Sequence, residues 1–108
     1  MKYVNNAYST KMLQENLCIS QTIISEKEFM ELSHNGEYTS VIGHPDTAKL
    51  FNLPENRQTL ILQDGDELLV CELNNPTGTR LPVGITKIEE IPNGFFFRFL
   101  QIKVFKQV

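Results

Sequence analysis

The chain has 108 residues, of which 41% are hydrophobic and 21% charged, and its net charge at pH 7 is −3. This length and composition predict a single folded domain over residues 1–108 and exclude a disordered or fibrous chain. The negative charge argues against nonspecific binding to long nucleic acid, although placed cations can still hold a small anion. No apolar run reaches the ~20 residues of a membrane helix, and the polar start lacks a signal-peptide core, so we expect a cytoplasmic protein without membrane contact.

The first elements in the chain are two strands and two helical segments. Residues 2–6 predict a short strand, and Ser9 is placed to cap a brief helical turn. Residues 17–24 are apolar and β-branched, as in a second strand. Ser25 then begins a capping box in which Glu28 bonds back to the helix start, so a helix is expected directly after β-structure.

The middle of the chain predicts a strand followed by a helix. The first helix should end near Gly36, a residue suited to a left-handed cap. Residues 38–42 predict a strand that breaks at Gly43. Pro45 then fits the first position of a second helix, where the missing N–H costs nothing.

The last part of the chain predicts the rest of a sheet. Residues 60–62 and 67–73 flank an Asp64-Gly65 turn and predict a hairpin. Residues 95–105 form a long strand that is apolar on both faces, so helices should cover both faces of the sheet. The expected fold is α/β or α+β, with a mixed sheet of about five strands and short helices.

Standard catalytic and metal-binding motifs are absent from the sequence. Cys18 and Cys71 have neither CxxC spacing nor histidine neighbours, so we interpret them as reduced buried thiols. His34 and His44 are too few to build a zinc site, and His34 lies in a polar turn typical of the surface. We therefore expect no metal and no cofactor.

His44 is the residue of this sequence best suited to take part in catalysis or ligand binding. It follows Gly43 where a strand gives way to a helix, beside helix N–H groups that favour an anion. Histidine also exchanges a proton readily near neutral pH. The alternative is that His44 only caps the helix. Taken one at a time, Arg57 and Arg80 are typical solvated charges, and Asn6 and Ser9 are typical turn and cap residues.

Several short motifs occur together in a fixed order. They are Asn6-Ala7-Tyr8-Ser9 followed by Met12-Leu13, Ile42-Gly43-His44-Pro45-Asp46-Thr47-Ala48, Asn56-Arg57, Gly65-Asp66, Arg80-Leu81-Pro82-Val83-Gly84, and a phenylalanine-rich last strand. This ordered set, which spans essentially the whole chain, resembles the viral ring-nuclease family. Members of that family, found also in mobile elements, act as anti-CRISPR proteins against type III systems.

The resemblance implies a small α/β homodimer that binds cyclic tetra-adenylate across its interface. Such proteins cleave the ring without metal, by attack of a ribose 2′-OH on the adjacent phosphate, to linear di-adenylate with a 2′,3′-cyclic phosphate. It implies catalytic roles for His44 as proton donor and Arg80 as phosphate clamp. The residues that it implies for ligand binding are Asn6, Ser9, Lys11, Gly43, Asp46 and Arg57.

Two positions depart from the family's pattern. Val83 stands where the family has a catalytic glutamate in its Arg-Leu-Pro-Glu-Gly motif, and Lys11 stands where asparagine is common. Valine cannot accept a proton, and a general base is worth about 10²–10⁴ in rate. Two alternatives to the nuclease therefore stay open. One is a non-catalytic sponge or sensor for the same ring, and the other is a mobile-element protein that acts through a protein partner.

Overall fold

The computed structural model describes residues 1–75, 78 and 80–107. In this part of the chain the strands are Lys2–Asn5 (β1), Leu17–Ile24 (β2), Thr39–Ser40 (β3), Glu67–Asn74 (β4) and Phe96–Lys106 (β5). The α-helices are Glu26–Ser33 (α1) and Pro45–Leu50 (α2), with 3₁₀ helices at Thr10–Met12 and Ile88–Glu90. Among the described residues, no helix has the length and apolar character needed to cross a membrane.

The strands of the described chain form a five-stranded mixed sheet in the order β2-β5-β4-β1-β3. β1 lies between β3 and β4 and is parallel to both, whereas β5 is antiparallel to β2 and β4. The carboxyl ends of β1, β3 and β4 therefore share one edge of the sheet, and β5 begins there. The predicted α+β domain with a mixed sheet of about five strands and short helices is confirmed.

The two faces of the sheet bury separate clusters, as the doubly apolar last strand predicts. On the first face, Phe29 of α1 lies 4.9 Å from the ring of Phe99 and 5.4 Å from that of Phe51, and α2 packs against the same cluster. The second face buries residues of β4 and β5 under Leu60, Leu62 and the Thr10–Met12 helix. Both α-helices thus cover one face, and the 3₁₀ helix with an extended segment covers the other.

The helix starts follow the predicted capping chemistry. Glu28 N–H donates to Ser25 Oγ at 3.0 Å, and Ser25 N–H donates to Glu28 Oε1 at 3.4 Å, which completes the capping box. Ser9 Oγ accepts from Lys11 N–H at 3.2 Å and caps the 3₁₀ helix. Pro45 occupies the first turn of α2, as expected.

The predicted hairpin around Asp64-Gly65 is wrong in its pairing. The turn itself forms, with Gly65 at a φ of +88° and Asp66 N–H bonded to Gln63 O at 3.0 Å. However, both edges of β4 are occupied, by β1 and β5. Leu62 forms an isolated parallel bridge with Leu13 instead, since the sheet leaves the preceding segment no free edge beside β4.

The strand predicted over residues 38–42 is also shorter than expected. The ladder with β1 spans Thr39–Ser40, after which Ile42 forms a bridge with Glu55. Ile42 O accepts from Asn56 N–H at 2.9 Å, so the backbone leaves the sheet before His44. This departure carries the chain towards the start of α2.

Candidate functional site

A cleft of about 370 Å³ lies at the edge where β1 and β4 end and β5 begins. Its lining residues are Asn6, His44, Asp46, Thr47, Cys71, Leu73, Arg80, Leu81, Pro82, Val83 and Phe97. Cys71 and Leu73 are two positions apart on β4, so their side chains lie on the same face of the sheet. Leu73 pairs with Phe97 on β5, which places the Phe97 side chain on that face too. Asn6 follows directly after β1. The cleft therefore joins residues that are up to 91 positions apart through the register of the sheet.

The cleft is apolar at its floor and polar at its rim. Phe97 packs against the core cluster of the first face, and Leu73 pairs with it on the neighbouring strand. Asn6, His44 and Arg80 contribute the polar groups of the cleft. A volume within the usual range of ligand pockets, with few convergent polar groups on apolar walls, is typical of a small-molecule site.

A larger and shallower depression of about 610 Å³ lies beside β3 and the end of α2. Its polar side chains are engaged within the fold: Ser40 Oγ donates to Pro54 O at 2.6 Å, and Asn56 Nδ2 donates to Ser40 O at 3.1 Å. His34 there lies 2.9 Å from Met30 O and 3.0 Å from Asn52 O through its two ring nitrogens. These contacts tie α1 to the end of α2, so we assign this region to the fold and not to chemistry.

His44 both caps α2 and lines the cleft. Its Nδ1 accepts from Thr47 N–H at 3.3 Å and lies 3.3 Å from Thr47 Oγ1. Because this bond uses the lone pair of Nδ1, the neutral ring carries its proton on Nε2. Nε2 is thus the ring nitrogen left for a ligand, and the predicted cap and the predicted chemistry use different atoms of one side chain.

The start of α2 offers an anion fewer N–H groups than its first four positions would suggest. The Thr47 N–H is satisfied by His44 Nδ1, and Ala48 N–H bonds to His44 O at 3.0 Å. Pro45 has no N–H to offer. Much of the attraction for an anion in this cleft is therefore left to side-chain cations.

Arg80 is the cation of the cleft wall. Its side chain is exposed, and within the described ranges it makes no ion pair with a carboxylate. An arginine without an acidic partner at a cleft can give its donors to a ligand phosphate or carboxylate.

Arg57 lies outside the cleft lining but directly against Gly43. A Cβ on Gly43 would come within 3.3 Å of Arg57 Cβ and Cγ and 3.4 Å of its Nε. Glycine at this position therefore lets the arginine stem lie across the backbone that precedes His44. The structure places Arg57 beside the histidine segment but not in the cleft wall.

Asp46, the second residue of α2, reaches the segment that carries Arg80. Its Oδ2 accepts from Gly84 N–H at 2.8 Å. Half of the predicted site residues thus line one cleft, namely Asn6, His44, Asp46 and Arg80. The other four lie outside its wall: Arg57 and Gly43 beside His44, and Ser9 and Lys11 at the exposed start of the Thr10–Met12 helix.

Thr47, Phe97 and Cys71 were not predicted as site residues. Burial raises the pKa of the Cys71 thiol to about 12, and its Sγ donates to Asn5 O at 3.5 Å. Cys71 is therefore a neutral part of the floor and not a nucleophile. The alternation of residues along β4 was the available signal, but it becomes informative only once the strand order is known. Among the residues that the structure describes, no group of three or more His, Cys, Asp or Glu side chains is placed to hold a metal ion.

Comparisons with known proteins place this fold. A solved structure, B116 of Sulfolobus turreted icosahedral virus, superimposes with a TM-score of 0.72 at 25% sequence identity, covering 94% of this chain and 97% of that one. No curated protein sequence matches the chain. The model of the family described as STIV B116-like matches residues 2–98. The chain therefore belongs to the STIV B116-like family of viral proteins.

Proposed function

We propose that this protein is a ring nuclease of viral or mobile-element origin, which cleaves cyclic tetra-adenylate and so counters type III CRISPR signalling in the cytoplasm. The observation that carries the proposal is the cleft that joins Asn6, His44 and Arg80, which are 74 positions apart at the extremes. The resemblance of the ordered motifs implies catalytic roles for His44 and Arg80 and a ligand-binding role for Asn6. The apolar floor beside them offers contact area for a base.

The chemistry needs no nucleophile from the protein. A ribose 2′-OH attacks the adjacent phosphorus, the new O–P bond closes a 2′,3′-cyclic phosphate, and the bond to the 5′-oxygen breaks. Intramolecular attack in a well-oriented complex contributes about 7–11 kcal/mol to barrier lowering. The protein therefore has three tasks: to hold the phosphate in line, to stabilise its growing charge and to supply a proton.

His44 and Arg80 divide these tasks. The doubly protonated ring of His44 gives a proton from Nε2 to the leaving 5′-oxygen. In that form Nδ1 carries a proton and cannot accept from Thr47 N–H, so Thr47 Oγ1, at 3.3 Å, accepts from Nδ1–H instead. Arg80, which has no acidic partner in the described chain, pairs with two phosphate oxygens as charge builds. The proton of the attacking 2′-OH passes to water.

The active form that we propose is a homodimer. Ser9 and Lys11 lie at an exposed turn outside the cleft wall, and the Val83 side chain, at the cleft edge, is 98% exposed. A second copy related by a two-fold axis would present a matching cleft to the opposite half of a ring that is itself symmetric. The exposed residues at the cleft mouth would then be covered.

A non-catalytic binding protein for the same ring is the second candidate. Val83 favours it, because an exposed valine at the cleft edge supplies no carboxylate where the ring-nuclease motif has a glutamate. Binding would then depend on Arg80 and the cleft, with no turnover.

Labelled cyclic tetra-adenylate, incubated with the purified protein in EDTA beside a binding titration, separates the candidates. Cleavage to di-adenylate with a 2′,3′-cyclic phosphate supports the nuclease. Tight binding without turnover supports the sponge or sensor and contradicts the nuclease. A protein that neither binds nor cleaves the ring contradicts both candidates and favours action through a protein partner.

A further inference from the structure

Residues 80–83 line one side of the cleft and are followed by Gly84; together, residues 80–84 are called the wall here, and the segment that carries His44 and Asp46 lines another side. The two segments are 38 residues apart at the point where a hydrogen bond joins them. That bond runs from Gly84 N–H to Asp46 Oδ2 at 2.8 Å. Asp46 lies two residues after His44, so the bond links the two segments close to the histidine.

The backbone at Gly84 is shaped for this bond. Its φ of +91° is a conformation that residues with a side chain rarely adopt, although a Cβ there would meet nothing within 4 Å. Glycine at this position is thus explained by backbone conformation and not by lack of space. The Gly84 N–H donates to the Asp46 carboxylate in the first turn of α2, and the chain turns away after it.

Core contacts hold this segment on either side of its exposed part. Leu81 and Ile85 pack against the core cluster of the first face. Pro82 and Val83, between them, are exposed. Gly84 is therefore the point where the exposed part of the segment is fastened to α2 rather than to the sheet.

The charge of Asp46 is otherwise unfavourable here. A carboxylate in a cleft built around an unpaired arginine repels the same anions that the arginine attracts. A charged acceptor, however, makes a stronger hydrogen bond with a backbone N–H than a neutral one does. The carboxylate of Asp46 thus lowers the affinity of the cleft for an anion but holds the wall more firmly.

We propose that Asp46 is a positioning residue, which holds residues 80–84 across the cleft through Gly84 N–H and thereby keeps Arg80 facing the phosphate that His44 serves. Asp46 acts through Gly84 and does not itself bind the ring. This inference rests on the proposed function for its catalytic consequence, but the tether itself is measurable without any ligand.

Two substitutions at Asp46 separate the tether from the charge. Asp46→Asn keeps an acceptor oxygen and removes the charge, so the wall stays in place and the ring binds more tightly, by about tenfold or less for one charge in a solvated cleft. Asp46→Ala removes the acceptor, so we expect single-turnover cleavage to fall by about tenfold or more as Arg80 loses its position. If Asp46 acted by its charge alone, Asp46→Asn and Asp46→Ala would have the same effect, because both remove that charge.

Asp64 provides a matched control. Its Oδ1 accepts from Lys106 N–H at 3.0 Å, the same kind of exposed carboxylate-to-backbone bond, and it lies outside the cleft lining. Asp64→Ala should leave ring binding and cleavage at wild-type levels. A loss equal to that of Asp46→Ala would show a general effect on the fold and would overturn the proposal.

Hydrogen exchange of the Gly84 amide, followed by NMR without ligand, tests the tether directly. We expect faster exchange in Asp46→Ala and near wild-type exchange in Asp46→Asn and Asp64→Ala. Unchanged exchange in Asp46→Ala overturns the tether whatever the ring assay gives, as does equal loss of cleavage in both Asp46 variants. A wild-type protein that neither binds nor cleaves the ring overturns the proposed function, and the exchange data then still decide whether Asp46 holds the wall.

Discussion

At the scale of single residues, the histidine ring of His44 shows how one side chain can serve the fold and the cleft together. Its Nδ1 caps α2 through Thr47 N–H, and this contact fixes the ring orientation. The same contact leaves Nε2 available on a side chain that lines the cleft. Thr47 Oγ1, 3.3 Å from Nδ1, is placed to keep the ring in position when Nδ1 carries a proton.

Arg80 provides the first prediction at this scale. Arg80→Ala should weaken ring binding and slow cleavage, each by about tenfold or more, because an arginine clamp acts in both the ground state and the transition state. Binding titration and single-turnover kinetics measure the two effects. Arg98→Ala is the control, since Arg98 is also an exposed arginine but pairs with Glu72 at 3.3 Å and does not line the cleft. Equal losses in the two variants would contradict the assignment.

Cys71 provides the second prediction at this scale. Burial raises its pKa from 9.0 to about 12, so the folded protein holds it as a neutral thiol at pH 8. Native protein should show fast reaction of the half-buried Cys18 and none of Cys71 with a thiol reagent, whereas unfolded protein should show both. Because the unfolded thiol loses its proton first, the free energy of unfolding should fall as the pH rises from about 9 towards 12. Fast reaction of two thiols in the native state would contradict the buried position.

The sequence predicted the residues of the cleft whose local context was distinctive. His44 stands at a strand-to-helix junction marked by Gly43 and Pro45, where side chains are exposed, whereas Asp46 was implied by the family resemblance. Phe97 could not be predicted as part of the floor, because its neighbours depend on the pairing of β5 with β4. Non-local register of this kind leaves no mark in the local sequence.

At the scale of elements, the wall formed by residues 80–84 and the first turn of α2 are the two parts whose spacing decides what the cleft can hold. They meet at the bond between Gly84 N–H and Asp46. Val83, at the tip of the wall, is 98% exposed, so its side chain contributes almost nothing to the core. A substitution there tests chemistry with little effect on folding.

Val83→Glu should raise the single-turnover rate by about ten- to a thousandfold, a share of what a positioned base gives. Ring binding should weaken slightly, because the new carboxylate faces an anion at a cost of about 1 kcal/mol in a solvated cleft. Val83→Gln has a similar size without the charge and is the control. An unchanged rate in Val83→Glu would mean that the carboxylate is not needed here, and a loss of activity would mean that the wall works as an apolar surface.

Elements with strong local signals were predicted closely, and pairings were not. The capping box of Ser25 and Glu28 fixed the start of α1, and the β-branched run fixed Leu17–Ile24 as β2. The Asp64-Gly65 turn was also right, but its two arms do not pair. A turn motif describes the chain at the turn, whereas the partner of a strand depends on which edges the rest of the sheet leaves open.

At the scale of the whole molecule, the sheet separates a structural face from a face that ends in the cleft. The second face is closed by Leu60, Leu62 and the Thr10–Met12 helix, whereas the first face is covered by α1 and α2 and opens at the edge beside His44. Because the net charge is −3, the binding of an anion must depend on cations close to the cleft. In the proposed homodimer, a second copy would double those cations around one ring.

We therefore expect a homodimer in solution. Light scattering at micromolar concentration should give twice the mass of the chain, and one ring should bind per two chains in a titration. A monomeric mass that persists with the ring bound would contradict the shared site. The Arg80→Ala variant should remain dimeric, since Arg80 is assigned to the ligand and not to the interface.

The central claim is that His44 donates a proton and is more than a helix cap, and single-turnover cleavage of cyclic tetra-adenylate in EDTA by His44→Asn tests it most directly. Asparagine is among the best N-cap residues, so α2 keeps its start while the proton donor is lost. We predict that cleavage is abolished or nearly so with ring binding within about tenfold of wild type, because the lost interaction belongs to the transition state. The control His34→Gln, at a histidine outside the cleft, should cleave as wild type does. Wild-type cleavage by His44→Asn would contradict the account and leave His44 as a cap alone.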